Sequence, residues 1–127
     1  MKEKYISTRG GQKNISASAG IIAGLATDGG LYVPSFIHDI HININDLINL
    51  TYSALAEKIF SLFLDDFTPE QIHHCVSQAY DSGLFEMDEP VSVKEVSDRF
   101  FLELYHGPTC AFKDMALTIL PHLMTTS

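Results

Sequence analysis

The sequence contains few cysteines, few basic residues and no long apolar run. Cys75 and Cys110 lie far apart without CxxC spacing, so we expect two reduced thiols rather than a disulfide scaffold or a zinc knuckle. Eight Lys and Arg residues face sixteen Asp and Glu residues, and the net charge of -8 would repel nucleic-acid phosphates and anionic membranes. No stretch approaches the roughly 20 apolar residues of a membrane span.

The composition is that of a folded globular chain. Hydrophobic residues make up 46% of the 127 residues, charged residues 19% and aromatic residues 10%, which suits one compact domain. Residues 1–4 are polar or charged apart from the initial Met, and they lack the apolar core of a secretory signal. We therefore expect a soluble cytoplasmic protein that binds neither nucleic acid nor membranes.

Three consecutive potential metal ligands occur at His73, His74 and Cys75. Adjacent helical residues point about 100° apart, so these side chains cannot readily converge on one ion. The sequence therefore predicts no metal site.

The amino-terminal part predicts short strands around one short helix. Residues 5–8 and 31–33 suit brief extended segments, because each is bounded by glycine or proline. Ser16 is placed to cap a helix over residues 17–25.

The middle of the chain predicts a helical hairpin with a structural role. Residues 51–64 carry enough apolar side chains for a largely buried helix. A second helix begins at Thr68, where Pro69 and Gln71 complete a capping box, and it ends near Gly83.

The character of the sequence changes after Pro90. Residues 91–96 and 100–105 predict strands, and residues 111–124 predict a helix that Pro121 kinks or ends. We expect the strand over 100–105 to lack sheet neighbours within this chain. The order of strand, tight turn and helix places a corner at residues 104–114.

Such a corner is where folds commonly present reactive groups, and here it contains Lys113. In the first turn of a helix, the dipole would favour the neutral amine, and desolvation by Phe112 and Met115 would act in the same direction. A neutral amine is a nucleophile toward carbonyls. Asp114 would oppose this if it approached the amine, or it would simply complement the dipole. A solvated helix lysine is the alternative, and the spacing leaves both open.

The segment ELYHGPTCAFKD at residues 103–114 resembles the lysine segment of the threonine synthase family, whose pattern is HGPT-x-AFKD. Cys110 occupies the variable position. Residues 5–10 and 24–34 resemble the amino-terminal domain of the same family, in the same order and with similar spacing. Residues 35–90 are merely compatible with it.

The resemblance implies an α/β protein in two parts. Residues 1–90 would form a helix-rich α+β amino-terminal domain, and residues 91–127 the incomplete start of a fold-type-II pyridoxal-phosphate domain. The implied activity is conversion of O-phospho-L-homoserine and water to L-threonine and phosphate. Lys113 would bind pyridoxal 5'-phosphate covalently as a Schiff base and then act as general base or acid. Phe112 would pack on the cofactor ring, with a plain core phenylalanine as the alternative.

Four further residues of the motif, at 106–109, precede Cys110. His106 could contact a phosphate or hydrogen-bond a turn carbonyl. Gly107 and Pro108 are expected to shape the turn, and Thr109 to cap the following helix.

The sequence departs from the family after Lys113. Family members continue for several times this length, and their glycine-rich phosphate-binding loops lie beyond the lysine, whereas no such loop follows Lys113 here. We therefore expect a fragment that is inactive alone and that self-associates through the surface of its incomplete domain. The alternative is a small non-catalytic folding or interaction module.

Overall fold

A computed structural model describes residues 5–12 and 14–127, and it shows a mixed helix and strand fold, as predicted. The polar start at residues 1–4 lies outside the described residues. The elements, in chain order, are β1 (Tyr5–Ser7), α1 (Ala17–Ala23), β2 (Tyr32–Pro34), two 3-10 turns (Ile37–Asp39 and Ile44–Asp46), α2 (Tyr52–Phe63), α3 (Pro69–Tyr80), β3 (Ser92–Val96), β4 (Arg99–Glu103), α4 (Asp114–Leu117) and α5 (Leu120–Thr126).

The predicted helix caps are confirmed. Ser16 Oγ accepts a hydrogen bond from Ala19 N at 3.2 Å and begins α1. At α3, Thr68 Oγ1 accepts from Gln71 N at 3.3 Å, while Thr68 N donates to Gln71 Oε1 at 2.7 Å. This reciprocal pair satisfies two of the backbone donors that a helix start leaves without partners.

The core forms where α3 packs between α2 and the end of the chain. Cys75, Val76 and Ala79 on α3 are fully buried. They share one apolar cluster with Ala17 of α1, and with Leu123 of α5. The segment after residue 90 therefore contributes a helix to the same core as the amino-terminal elements.

The predicted carboxyl-terminal helix over 111–124 is wrong in its extent. Residues 111–113 form a turn, and two short helices, α4 and α5, follow with a break at Thr118 and Ile119. The break falls in the turn before Pro121, because proline lacks the N–H that would bond to Leu117 and its ring clashes with that carbonyl. Pro121 sits instead in the first turn of α5, where a missing N–H costs little.

The expectation that the strand over 100–105 lacks neighbours is also wrong. β4 ends at Glu103 and pairs antiparallel with β3, in a register that opposes Val93 to Leu102 and Glu95 to Phe100. β1 and β2 form a separate antiparallel pair. Each sheet described for the chain thus has two strands.

Residues 73–75 make contacts in different directions. His73 Nδ1 lies 2.8 Å from Glu57 Oε1 of α2, whereas the buried Cys75 Sγ lies 3.5 Å from Thr126 Oγ1 of α5. Within residues 5–12 and 14–127, no helix is both long and apolar enough to cross a membrane.

Candidate functional site

Lys113 stands immediately before α4, at the exposed side of the corner. Its backbone is helical in conformation, with φ -67° and ψ -20°, and its carbonyl accepts from Leu117 N at 2.9 Å. The prediction that it lies in the first helical turn is therefore off by one residue. In the described part of the chain, no hydrogen bond or ion pair involves its side-chain amine.

Phe112 is not a core residue of this structure. Its side chain is 71% exposed, and Lys113 is exposed beside it. Of the two environments that the spacing leaves open for the amine, desolvated or solvated, the described residues leave Lys113 in the solvated one. Among the described residues, the Phe112 ring is therefore largely uncovered.

Asp114 is turned away from solvent and bound by Thr109. Its residue is only 2% exposed, and its carboxylate accepts from Thr109 N at 2.8 Å and from Thr109 Oγ1 at 2.6 Å. These hydrogen bonds, the hydroxyl first, lower the pKa of Asp114 below its ordinary range. The expectation that Thr109 caps the helix is therefore wrong. Thr109 instead binds the carboxylate of Asp114, five residues later in the chain.

Gly107 makes room for this carboxylate. A Cβ at Gly107 would lie 2.6 Å from both Cβ and Oδ2 of Asp114. The turn closes through a hydrogen bond of 3.0 Å from Cys110 N to Gly107 O, with Cys110 at a φ of 54°. The expected role of Gly107 in shaping the turn is confirmed, and its cause is close packing against Asp114.

His106 is buried between two carboxylates. Its Nε2 lies 3.0 Å from Glu103 Oε2, and its Nδ1 lies 3.3 Å from Glu86 Oε2. Glu103 and then Glu86 raise the pKa of His106 above its ordinary value by accepting hydrogen bonds from the ring. Both ring nitrogens are engaged, so the predicted bond to a turn carbonyl is wrong and no ring nitrogen is left for a phosphate.

Glu103 joins the corner to the β3–β4 hairpin. Its Oε1 accepts from Tyr105 OH at 2.7 Å and pairs with Lys94 Nζ at 3.0 Å, while its Oε2 also accepts from Ser92 Oγ at 2.7 Å. These donors, together with His106, hold the pKa of Glu103 well below its usual range. The hairpin and the turn before Lys113 are therefore tied to one carboxylate.

The two amino-terminal segments that resemble the family also meet. Ser7 Oγ donates to Asp28 Oδ1 at 2.7 Å, and Gly30 N donates to the same oxygen at 2.9 Å. Gly11 N donates to Asp28 Oδ2 at 2.8 Å. Asp28 thereby fixes the loop after β1 against the turn before β2.

With this geometry established, the comparisons with known proteins identify the family. A family model described as "Threonine synthase N terminus" matches residues 4–80, which is more than half of the chain. The chain belongs to the threonine synthase family.

Its relatives in this family are longer. Threonine synthase from Corynebacterium glutamicum is 39% identical over 126 residues, covering 94% of this chain and 26% of that protein. A crystal structure of pyridoxal-phosphate-bound threonine synthase from Brucella melitensis superposes with a TM-score of 0.84 at 34% identity, over 97% of this chain and 27% of that one. Yeast threonine synthase gives a TM-score of 0.83 at 34% identity, over 94% and 25%. The chain thus spans about a quarter of the threonine synthases it matches.

Two side-chain contacts at the corner, Glu103 with His106 and Thr109 with Asp114, were not predicted from the sequence. The three-residue spacing of Glu103 and His106 could have suggested their pairing. The bond from Thr109 to Asp114 spans five residues across a turn, a separation that no helix or strand periodicity indicates. Gly107, a residue without a side chain beside a sharp turn, could have indicated that something packs closely there.

Proposed function

We propose that this chain supplies the amino-terminal part and the cofactor-binding lysine of a cytoplasmic, pyridoxal-phosphate-dependent threonine synthase. The reaction would convert O-phospho-L-homoserine and water to L-threonine and phosphate. The observation that carries the proposal is the arrangement at the corner: the Lys113 amine is exposed and unpaired among the described residues, whereas the adjacent Asp114 carboxylate is buried on Thr109.

The residues at the corner fit a covalently held aldehyde cofactor. An amine without an ion-pair partner can attack a carbonyl once it is deprotonated, and Lys113 is such an amine in the described chain. Phe112 offers an exposed aromatic ring next to it. When bound, pyridoxal phosphate supplies an electron sink for the negative charge that develops on a substrate carbon. Lys113 would hold it, and Phe112 would pack against its ring.

Lys113 has a second task in this proposal. Once the amine of the substrate has replaced Lys113, the freed Lys113 amine would accept protons from successive substrate carbons and return them. Phosphate leaves from the γ carbon and water adds at the β carbon. An exposed lysine stem that extends from a fixed corner can reach more than one carbon, which suits this role.

The proposal places the helix-rich amino-terminal domain at residues 1–90 and the start of the catalytic domain at 91–127. No glycine follows Gly107 in the sequence, so this stretch offers no glycine-rich loop for the cofactor phosphate. We therefore expect the 127-residue chain alone to release no phosphate from O-phospho-L-homoserine.

Self-association belongs to the same proposal. One face of the β3–β4 hairpin, here called the hairpin face, carries the apolar residues Val93, Phe100 and Leu102, which are 61%, 73% and 58% exposed, with Glu95 opposite Phe100. Exposed apolar patches of this kind commonly mark protein contacts. The same face supports the second candidate function, a binding module without catalysis.

A chimera tests the catalytic proposal. Residues of this chain replace the aligned 26% of the Corynebacterium glutamicum enzyme, and phosphate release from O-phospho-L-homoserine is measured. We expect activity, with a loss of at least about 10²-fold on Lys113→Ala because both the anchor and the proton-transfer group disappear. Lys58→Ala, on the exposed side of α2, serves as the control. An active Lys113→Ala chimera would refute the assignment.

A further inference from the structure

Lys113 and Asp114 are neighbours in sequence but have opposite environments. Asp114 is 2% exposed, and Lys113 is exposed. Both have helical backbone conformations at the start of α4, where successive side chains diverge by about 100° around the axis. The direction in which the Asp114 side chain is held therefore fixes the direction in which the Lys113 side chain extends from the corner.

The direction of Asp114 is set by two hydrogen bonds and one close contact. Thr109 N and Thr109 Oγ1 donate to its two carboxylate oxygens at 2.8 Å and 2.6 Å. Gly107 packs against the same side chain, with no space between them for even a methyl group. These three contacts restrain the Asp114 side chain, and the two hydrogen bonds close the loop between Thr109 and Asp114.

The loop also depends on Lys113 itself. Thr118 N donates to Asp114 O at 3.1 Å and Leu117 N to Lys113 O at 2.9 Å, so the carbonyls of both residues hold the first turn of α4. A change in the Asp114 side chain would consequently be transmitted through one peptide bond to the base of the lysine stem.

We propose that Asp114, held by Thr109 and Gly107, is a positioning residue that aims the Lys113 amine at the cofactor carbonyl. This role presupposes the proposed function. The way in which Asp114 would fulfil it is inferred from the hydrogen-bond geometry. It does not require the negative charge of Asp114. An asparagine can accept from Thr109 N through its amide oxygen and donate to Thr109 Oγ1 through its amide nitrogen, so it should keep the geometry.

The experiment compares Asp114→Ala and Thr109→Val with the conservative variants Asp114→Asn and Thr109→Ser. Asp66→Ala is the matched control, because Asp66 Oδ2 likewise accepts from the backbone N–H and the hydroxyl of Ser18, at 3.1 Å and 2.5 Å, away from the corner. Amide hydrogen exchange over residues 109–118 is measured in this chain. In the chimera, kcat, KM and the visible absorbance of lysine-bound cofactor are measured.

We expect Asp114→Ala and Thr109→Val to speed exchange over residues 109–118. In the chimera they should lower the lysine-bound fraction of cofactor and reduce kcat by about 10-fold or more, with little change in KM. Asp114→Asn and Thr109→Ser should restore all three readouts, and Asp66→Ala should leave them unchanged.

Two results would overturn the positioning role. Faster exchange with an unchanged lysine-bound fraction and kcat would make the Thr109–Asp114 contact merely structural. An Asp114→Asn variant as impaired as Asp114→Ala would assign the effect to charge. A chimera in which Lys113→Ala has no effect would instead refute the proposed function, while hydrogen exchange in this chain would still report whether Asp114 holds the loop.

Discussion

Ser7 and Asp28, 21 residues apart, are joined by hydrogen bonds of 2.7 Å and 2.9 Å from the serine hydroxyl to the two carboxylate oxygens. Ser7 is buried at the end of β1, and Asp28 stands in the turn before β2. Because Gly30 N donates to the same carboxylate, the turn can only close when its backbone lies against Ser7. The two family-like segments of the amino-terminal part thus stabilise one another.

This arrangement predicts that Gly30→Ala is destabilising. A Cβ at Gly30 would lie 2.1 Å from Ser7 Oγ and 3.1 Å from the backbone N of Arg9, so the serine and the loop would have to shift. We expect a loss of about 1–3 kcal/mol in the free energy of unfolding, measured by urea denaturation.

The same substitution at Gly20 is the control. Gly20 lies within α1, and its added Cβ would meet only Tyr32 side-chain atoms at 3.7 Å or more. Gly20→Ala should be neutral or stabilising, since alanine favours a helix interior by up to about 1 kcal/mol over glycine. Equal effects at the two glycines would contradict the packing described for Ser7.

The capping box predicts the cost of changing Thr68. Thr68→Ala removes the acceptor for Gln71 N and should lower the free energy of unfolding by about 1 kcal/mol. Thr68→Ser keeps that acceptor and should retain most of the stability. If chemical denaturation gives the same midpoint for the alanine and serine variants, the side-chain cap contributes nothing to α3.

The Glu103–His106 pair predicts a window of maximal stability in pH. The pKa of His106 is raised above 6.5, so its contribution is full below 6.5 and is lost as pH rises through the raised value. The pKa of Glu103 is lowered below 4.5, so its contribution is full above 4.5 and is lost as pH falls through the lowered value. The pair should therefore stabilise the chain most between pH 4.5 and pH 6.5.

Urea unfolding at a series of pH values measures this window. His106→Gln should remove the alkaline loss, because glutamine does not titrate, while the acidic loss through Glu103 should remain in part. His73→Gln is the control, since His73 is exposed on α3. An alkaline loss of the same size in the His106→Gln variant would show that the pair does not cause it.

The hairpin face predicts concentration-dependent association. Its three apolar side chains lie on a two-stranded sheet, which is marginally stable in isolation, so covering them should be favourable. Sedimentation velocity should show a mass that rises with concentration, and Phe100→Ser should reduce it. Ile48→Ser, at an equally apolar residue that is 67% exposed outside the hairpin, is the control. An unchanged association in Phe100→Ser would exclude this face.

Local signals in the sequence predicted most of the secondary structure. The caps at Ser16 and Thr68 were visible because each depends on residues within one helical turn. The sequence predicts a kink or an end at Pro121, whereas the break lies at Thr118 and Ile119. Proline marks the residue that cannot continue a helix, but it does not specify at which residue of the preceding turn the helix ends. The sequence predicts both strands of the β3–β4 pair, but their local patterns do not indicate that they pair with each other.

The geometry of the candidate site could not be predicted from the sequence. Lys113 and Phe112 were selected from a motif, whereas the environments of His106 and Asp114 depend on side chains that meet across turns. His106 was expected beside a phosphate or a carbonyl and lies between Glu86 and Glu103. Contacts of this kind follow from the way the chain folds back on itself, which residue spacing does not specify.

We propose that Lys113 is the lysine that binds the cofactor covalently. The most direct test treats this chain with pyridoxal 5'-phosphate and borohydride, and then maps the reduced adduct by mass spectrometry of its peptides. We expect an adduct mainly on Lys113, in preference to Lys58, which is exposed on α2, and Lys94, which is paired with Glu103. An adduct spread evenly over the lysines would contradict it.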